Sequence, residues 1–353
     1  MKVCFFGTYK KDYARNRVLM TGFVENGYDI VECNVDPKTC SSFGKYVLLV
    51  KEYRKIKHMK FDYVIVAFQG HSLVWLARIL FGKNIIFDAF VSMYNSEVED
   101  RKKSKVKSLS ALRYLFLDWY SCKLSARVLL DTNAHIDYFV NKFHLPKKKF
   151  IRVLIGSTTD TFYPKKDEKK DDKFTIHFHG GFIPLQGIEY IVQASKLLES
   201  KKDIQFRIVG GGQEYKKIKK LADDLGVINI EWIPRVDISK INNYINNSDV
   251  VLGIFGDTSK TQMVIPNKIY EAIACAKPVI TAGTGAIEEL FIDRENILLC
   301  RVSDPKSLAD AIMVLHDDNN LKTHIAEDGY DIFKKHALPD VLVKNLLSSL
   351  SEK

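Results

Sequence analysis

The sequence has few of the residues that form disulfides or zinc sites, and it has no long apolar run. Its 353 residues include six scattered cysteines without a CxxC pair, so neither a disulfide scaffold nor a zinc site is expected. No apolar run approaches the roughly 18 residues that span a bilayer. The apolar run at residues 1–7 is too short for a signal peptide and predicts a first strand. Together these absences favour a reduced, cytoplasmic protein.

Positive charge is in excess. Lysine and arginine number 53 against 43 acidic residues, which gives a net charge of +10 at pH 7 and implies an anionic partner. Nucleic acid, an anionic membrane surface and a phosphate-bearing substrate are the three candidates. The lysines are dispersed and lack the interleaved aromatic residues of a base-stacking surface, so no nucleic-acid partner is expected.

Alternating strand and helix patterns occur twice along the chain and predict two α/β domains. The first series starts with a strand that ends at Gly7 and continues into a helix over residues 15–26. The NAD-type fingerprint would need further glycines where Tyr9 and Asp12 stand, so dinucleotide binding is disfavoured. The second series starts at residue 174, after a charged run at 165–173 that predicts a linker.

Polar residues follow two predicted strands of the first half. A strand at 63–68 leads to His71, and a strand at 84–87 is followed directly by Asp88. Ligands of open parallel sheets bind beyond the carboxyl ends of the strands, so His71 and Asp88 are predicted to lie in a ligand-binding crevice. A helix-start role without chemistry is the alternative for His71. The charge-rich segment 92–108 predicts a loop, either over that crevice or as a solvated connection.

A basic, amphipathic helix is predicted over residues 46–60. Its lysines and arginines lie beside apolar residues, as in helices that rest on anionic lipid headgroups. A solvated face of an ordinary helix explains the pattern equally well.

The stretch 264–289 carries the strongest chemical signal. Asn267 is predicted to N-cap a helix, a short strand follows at 279–281, and a glycine turn at 283–285 leads into a second helix. Two helix N-termini beside one strand suit a phosphate. Lys268 in the first turn opposes the helix dipole, which is reasonable if a dianion binds there, and Glu271 shares its face. A plain surface Lys–Glu pair is the alternative.

This stretch resembles the nucleotide-sugar site of the family-4 glycosyltransferases, retaining enzymes of the GT-B fold. The family pattern is a helical Glu, then A-x-A-x-G-x-P-V-I, a Gly-rich turn and a further Glu. The matching residues are Glu271, Ala272, Ala274, Pro278, Val279, Ile280, Gly285 and Glu289. The resemblance gives Glu271 the role of binding the donor's ribose hydroxyls. The family often has another Glu eight residues earlier, where Met263 stands here.

Three further segments carry the resemblance. Residues 156–164 are similar to N-G-x-D-x-x-x-F-x-P, residues 210–212 resemble I-V-G-x-G near the base, and residues 180–187 resemble G-R-L-x-x-x-K-G. The Arg and Lys of the last pattern grip the donor diphosphate, but Gly181 and Gln186 stand at those positions. We therefore expect Lys268 and backbone N–H groups to balance the diphosphate instead.

The fold implied is α/β, GT-B, with two Rossmann-like doubly wound parallel-sheet domains facing a central cleft. Residues 1–164 form the acceptor domain, 165–173 the linker and 174–334 the donor domain, and a helix at about 335–353 packs back on the first domain. The predicted catalytic residues are His71, Asp88 and Lys268. The predicted donor-binding residues are Gly7, Gly180, Gly181, Gln186, Gly210, Gly211, Lys268, Glu271, Thr284, Gly285 and Glu289.

The activity implied is transfer of a sugar from a nucleoside diphosphate sugar to a hydroxyl of a glycan or lipid-linked acceptor. It is of the hexosyltransferase type, with retention, in cell-surface polysaccharide or glycoconjugate biosynthesis. No Asp/Glu–x–Asp motif follows a strand, so neither an obligatory metal nor another cofactor is expected. A peripheral position on the inner face of a membrane fits the positive charge. A sugar-nucleotide epimerase on the same fold and a non-catalytic binding protein are the alternatives.

Overall fold

Two compact units make up the chain. The computed structural model describes residues 1–39, 41, 43–165 and 173–351. Unit 1 comprises Met1–Thr158 with Leu338–Lys353, and unit 2 comprises Thr159–Ala337. Most of the linker predicted at 165–173 lies outside the described residues, and residues 159–164, predicted to close the first domain, belong to unit 2.

Unit 1 is built on a six-stranded parallel sheet in the order β2-β1-β3-β4-β5-β6. Its strands are β1 (Lys2–Gly7), β2 (Asp29–Asn34), β3 (Tyr63–Val66), β4 (Ile86–Phe90), β5 (Arg127–Leu130) and β6 (Phe150–Arg152). Its helices begin with α1 (Ala14–Glu25), α2 (Gly44–Ile56), α3 (Val74–Phe81), α4 (Leu109–Leu124) and α5 (Asn133–Phe143). All five residues of β4 are buried, as expected for a strand covered on both faces.

Unit 2 repeats this architecture with a second six-stranded parallel sheet, in the order β12-β11-β10-β7-β8-β9. Its strands are β7 (Phe174–Gly181), β8 (Ile204–Gly211), β9 (Ile230–Ile233), β10 (Val250–Leu252), β11 (Val279–Ala282) and β12 (Leu298–Cys300). Its helices are α6 (Ile188–Leu197), α7 (Tyr215–Asp224), α8 (Ile238–Asn246), α9 (Asn267–Ala274), α10 (Gly285–Glu288), α11 (Pro305–Asp317) and α12 (Asn319–Ile332).

The last helix, α13 (Pro339–Ser351), belongs to unit 1 and packs on α1. Gly22 of α1 makes the close approach possible, because a Cβ there would lie 2.2 Å from the carbonyl oxygen of Pro339. Val343 and Leu346 of α13 are buried in the same core as Phe23. This contact encloses one face of the first sheet.

Two local predictions are wrong. Segment 92–108 is not simply a loop, because it contains a buried π-helical turn at Asn95–Asp100. The turn is held from α4, where the Asp118 carboxylate accepts hydrogen bonds from Ser92 Oγ and the backbone N–H of Tyr94. Asn267 is also not the N-cap of α9, because the cap is Pro266 and Asn267 is the first helical residue.

Candidate functional site

Lys268 in the first turn of α9 is buried beside the end of β7. Its side chain is only 5% exposed, and Nζ donates a hydrogen bond to Gln186 Oε1 at 2.5 Å. Nζ also lies 3.5 Å from the centroid of the Phe178 ring. Burial lowers the pKa of Lys268 well below its ordinary value of 10.5. Within the described part of the chain this amine has no salt-bridge partner, so its charge is poorly compensated.

The glycines at the ends of β7 and β8 fall into two groups. Gly210 is required by packing, because a Cβ there would lie 2.0 Å from Gly180 O, whereas a Cβ on Gly180 would lie 3.1 Å from Lys268 Nζ, a tight contact at a φ of +153°. A Cβ on Gly181 or Gly211 would meet no atom within 4 Å, so the backbone of these two glycines borders open space. Backbone N–H groups at such positions can approach a ligand closely.

Glu271 lies one turn after Lys268, and the two form no salt bridge. Its side chain is 11% exposed, and its Oε2 accepts a hydrogen bond from His179 Nε2 at 2.7 Å. The other carboxylate oxygen, Oε1, makes no hydrogen bond with the residues that the structure describes. The alternative of a surface Lys–Glu pair is therefore wrong, since both side chains are buried and each has another partner.

The turn after β11 leads into a shorter helix than predicted. Thr284 is the N-cap of α10, and its hydroxyl accepts a hydrogen bond from the backbone N–H of Ile287 at 3.3 Å. The helix that it caps is a single turn, Gly285–Glu288, so its dipole is much weaker than that of the predicted second helix. Gly285 is exposed and Glu289 follows the turn directly. Their donor-binding roles, and that of Gly7 at the end of β1, remain predictions.

In unit 1, His71 is buried, and its Nδ1 has no hydrogen-bond partner among the described residues. It lies in a short 3₁₀ turn after β3, and its Nε2 is 3.2 Å from Val91 O and 3.5 Å from Asp118 Oδ1. Its ring packs edge-on against Phe87. Burial lowers the pKa of His71 to about 4, so the ring is neutral near pH 7 and donates Nε2–H to the carbonyl.

Asp88 lies inside β4, not just beyond its end as predicted. Both of its carboxylate oxygens accept hydrogen bonds from Arg15, at 2.9–3.1 Å, and both side chains are fully buried. Arg15 also donates to the backbone oxygens of Val153 and Leu154. The ion pair compensates the buried charge of the carboxylate. Asp88 is thus held by Arg15 inside unit 1, and its catalytic role stays a prediction.

Sequence reasoning missed the partners of these groups. Arg15 looks like an ordinary helix residue in the sequence, and nothing near Asp88 points to it. The proximity of His177 and His179 could have been predicted, because alternate residues of a strand lie on the same face of the sheet. Both are buried there, and His177 Nε2 lies 3.0 Å from His179 Nδ1.

The described ranges contain neither a metal-binding cluster nor a membrane span. No group of three or more His, Cys, Asp or Glu side chains there could hold a metal ion. No helix in those ranges combines the length and apolar character needed to cross a membrane.

The architecture matches solved GT-B structures. Over the whole of both chains it resembles HepE of Anabaena, whose structure was solved with UDP and glucose, with a TM-score of 0.75 at 14% identity. The protein is thus a two-domain α/β protein with the GT-B fold.

Unit 2 carries a match to a known family. Residues 159–332, nearly all of unit 2, match the family described as Glycosyl transferases group 1. Curated relatives include an uncharacterised glycosyltransferase of Methanocaldococcus jannaschii, 26% identical over 45% of this chain and 42% of the relative. The lipopolysaccharide core biosynthesis glycosyltransferase LpsE of Rhizobium meliloti is 26% identical over 48% of each chain. The matched segments thus span less than half the length of these relatives.

Proposed function

We propose that unit 2 binds a nucleoside diphosphate sugar and that the protein transfers the sugar to a hydroxyl of a glycan or lipid-linked acceptor. The observation that carries the proposal is the contact between Lys268 and Gln186. Gln186 stands at the position where the family pattern has a Lys that binds the diphosphate. The amine of Lys268 donates a hydrogen bond to the Gln186 side chain. A cation from α9 thus occupies the place of the missing loop cation.

Stabilising the leaving diphosphate is the main catalytic task that these groups can perform. Negative charge grows on the leaving group as the glycosidic bond breaks, and pre-placed cations and N–H groups stabilise it. Lys268, the first turn of α9 and the backbone at Gly181 supply such groups, and Gly181 borders open space. Because water is largely excluded around Lys268, its attraction to an anion is stronger than at a surface.

The finer aspects of the proposal come from resemblance. Glu271 accepts a hydrogen bond from a ribose hydroxyl, and transfer proceeds with retention and is of the hexosyltransferase type. UDP is the first nucleotide to test, because the HepE structure contains UDP. A cell-surface glycan or lipid-linked acceptor is supported by the name of the Rhizobium relative, which places that protein in lipopolysaccharide core biosynthesis.

Binding of UDP to variants at Lys268 tests the donor site. We expect Lys268→Met to weaken UDP binding by roughly 10- to 100-fold in calorimetry, because a hydrogen bond to a charged group contributes about 1.5–3 kcal/mol. Lys216→Met, at an exposed position of unit 2, is the matched control and should bind UDP like the wild type. GDP, ADP and CMP serve as alternative ligands. If none of the four binds the wild type, the proposed function is wrong.

Product analysis separates transfer from epimerisation. The best-bound sugar nucleotide is incubated without an acceptor and then with lipid-linked glycan acceptors. Transfer predicts nothing beyond slow hydrolysis in the first case and a glycosylated acceptor in the second. Accumulation of an epimerised sugar nucleotide without acceptor would contradict transfer.

We further propose that unit 1 binds an anionic lipid surface through α4 as well as the predicted basic helix α2. Leu109, Leu112 and Phe116 follow one another on one face of α4 and are 87%, 55% and 59% exposed. Arg113 lies beside them, and four lysines precede the helix at 102–107. Exposed apolar residues among basic ones are typical of interfacial helices.

Flotation with vesicles tests this surface. Wild type should float with vesicles that contain phosphatidylglycerol. It should stay in the bottom fraction of the gradient with vesicles of pure phosphatidylcholine. Leu112→Ser with Phe116→Ser should lose most of the bound fraction. Leu197→Ser, at a 56% exposed position of unit 2, is the matched control. Equal flotation of the double variant and wild type would contradict the proposal.

A further inference from the structure

Two histidines stand behind Glu271 in one buried hydrogen-bonded chain. His177 and His179 point to the same side of β7, with His177 fully buried and His179 only 7% exposed. His177 Nε2 lies 3.0 Å from His179 Nδ1, and His179 Nε2 lies 2.7 Å from Glu271 Oε2. The imidazole of His177 is also parallel to the ring of Tyr244 on α8, with 8° between the planes.

Proton positions in this chain are fixed by its carboxylate end. An ionised Glu271 only accepts hydrogen bonds, so His179 donates from Nε2. The other nitrogen of a neutral His179 then accepts, and His177 must donate to it from Nε2. His177 Nδ1 is buried and has no hydrogen-bond partner among the described residues, so no contact favours the other tautomer. Burial also lowers the pKa of His177 well below 6.5, which keeps it neutral.

We infer that His179, held in place by His177, is a positioning residue that orients Glu271 for the ribose of the donor and thereby sets the preference for ribose over deoxyribose. The inference rests on the proposed donor site. With Oε2 held by His179, Oε1 is the oxygen left to accept from a ribose hydroxyl. A ligand without that hydroxyl leaves Oε1 without a donor in a poorly solvated place.

Loss of His179 would remove the hydrogen bond that holds the Glu271 carboxylate in place. The attraction of Glu271 for Lys268 already acts on that amine. Without the imidazole donor, the carboxylate can turn toward the amine, which would take both groups away from the nucleotide. Positioning therefore also keeps Lys268 available for the diphosphate.

Binding of UDP, 2′-deoxy-UDP and 3′-deoxy-UDP to four proteins tests the inference by calorimetry. We expect wild type to bind UDP about tenfold or more tightly than the weaker-binding of the two deoxy analogues, because one hydrogen bond to a charged group has about that effect. His179→Phe, similar in shape but without a donor, should reduce that preference to within about twofold. His179→Gln retains an N–H donor and should restore most of it. His177→Phe should give an intermediate preference.

The preference ratio separates positioning from a merely structural effect, since a general loss of stability weakens all three ligands alike. Circular dichroism shows which variants fold, and His324→Phe at an exposed position of α12 is the control. A folded His179→Phe variant with the wild-type preference overturns the inference. If that variant does not fold, an unchanged preference in His177→Phe overturns it.

Two outcomes in the wild type are also decisive. If wild type binds UDP but does not distinguish the deoxy analogues, the inference is wrong and the donor site stands. If it binds none of UDP, GDP, ADP and CMP, the proposed function itself is wrong.

Discussion

The two units treat buried charge differently. In unit 1, Arg15 and Asp88 are fully buried and form an ion pair, and Arg15 also donates to two backbone oxygens. In unit 2, Lys268 has an amide oxygen and an aromatic face as its neighbours, and Glu271 has one oxygen left over. Burial of a charged residue beside a strand end is therefore weak evidence for a site.

The largest effect should come from the satisfied pair of unit 1. Arg15→Met leaves Asp88 buried without its partner, which should lower the free energy of unfolding by about 3–5 kcal/mol. Lys11→Met is the matched control, because Lys11 pairs with Glu32 at the surface and should contribute less than about 1 kcal/mol. Urea unfolding measures both. A loss in Arg15→Met no larger than in the control would show that the pair is not structural.

The glycines sharpen the same contrast within unit 2. Gly210→Ala places a methyl group against Gly180 O at a φ of +146°, so we expect a loss of stability of about 2 kcal/mol or more. Gly211→Ala meets open space and should change stability by less than about 0.5 kcal/mol. It should nevertheless weaken UDP binding if the nucleotide packs on that backbone. Thermal unfolding measures the change in stability, and calorimetry measures UDP binding. A Gly210→Ala variant as stable as wild type would contradict the packing role of Gly210.

His71 and Asp118 of unit 1 should give opposing pH dependences of stability. The folded pKa of His71 is about 4, below its unfolded value of 6.5, so protonation of the unfolded state lowers stability as the pH falls through that range. Burial raises the folded pKa of Asp118 to about 7, above 3.8, so protonation of the folded state adds stability as the pH falls from 7 toward 3.8. The two contributions nearly cancel in the wild type.

Single variants should separate these contributions. As the pH falls from about 7.5 to about 5, the free energy of unfolding of His71→Phe should rise by about 2 kcal/mol relative to wild type. That of Asp118→Asn should fall by a similar amount relative to wild type. Urea unfolding at the two pH values measures this. Parallel curves for wild type and both variants would mean that neither residue titrates in this range.

The smallest effect concerns Lys268 and the pH dependence of donor binding. Its pKa is lowered in the free protein, and a bound diphosphate favours the charged amine, so binding takes up a proton. UDP binding should therefore weaken as the pH rises above the lowered pKa toward 10.5, by at most about tenfold per pH unit. Calorimetry across the alkaline range measures this slope. Lys268→Met should remove it, and an unchanged slope would contradict the role.

The fold class could be predicted from the amino-acid sequence. Strand and helix periodicity is local, so two doubly wound parallel sheets could be predicted from it. The stretch 264–289 is also local, and its helix, strand and turn are continuous in the chain, which is why its motif could be recognised.

The partner of each buried group, in contrast, depends on how distant segments pack. Asp88 meets Arg15 across 73 residues, Lys268 meets Gln186 across 82, and Glu271 meets His179 across 92. Strand order in a parallel sheet brings such segments together, and no local pattern encodes which side chains then touch. The packing of elements distant in sequence therefore buries Asp88 against Arg15 and leaves Glu271 Oε1 without a hydrogen bond among the described residues.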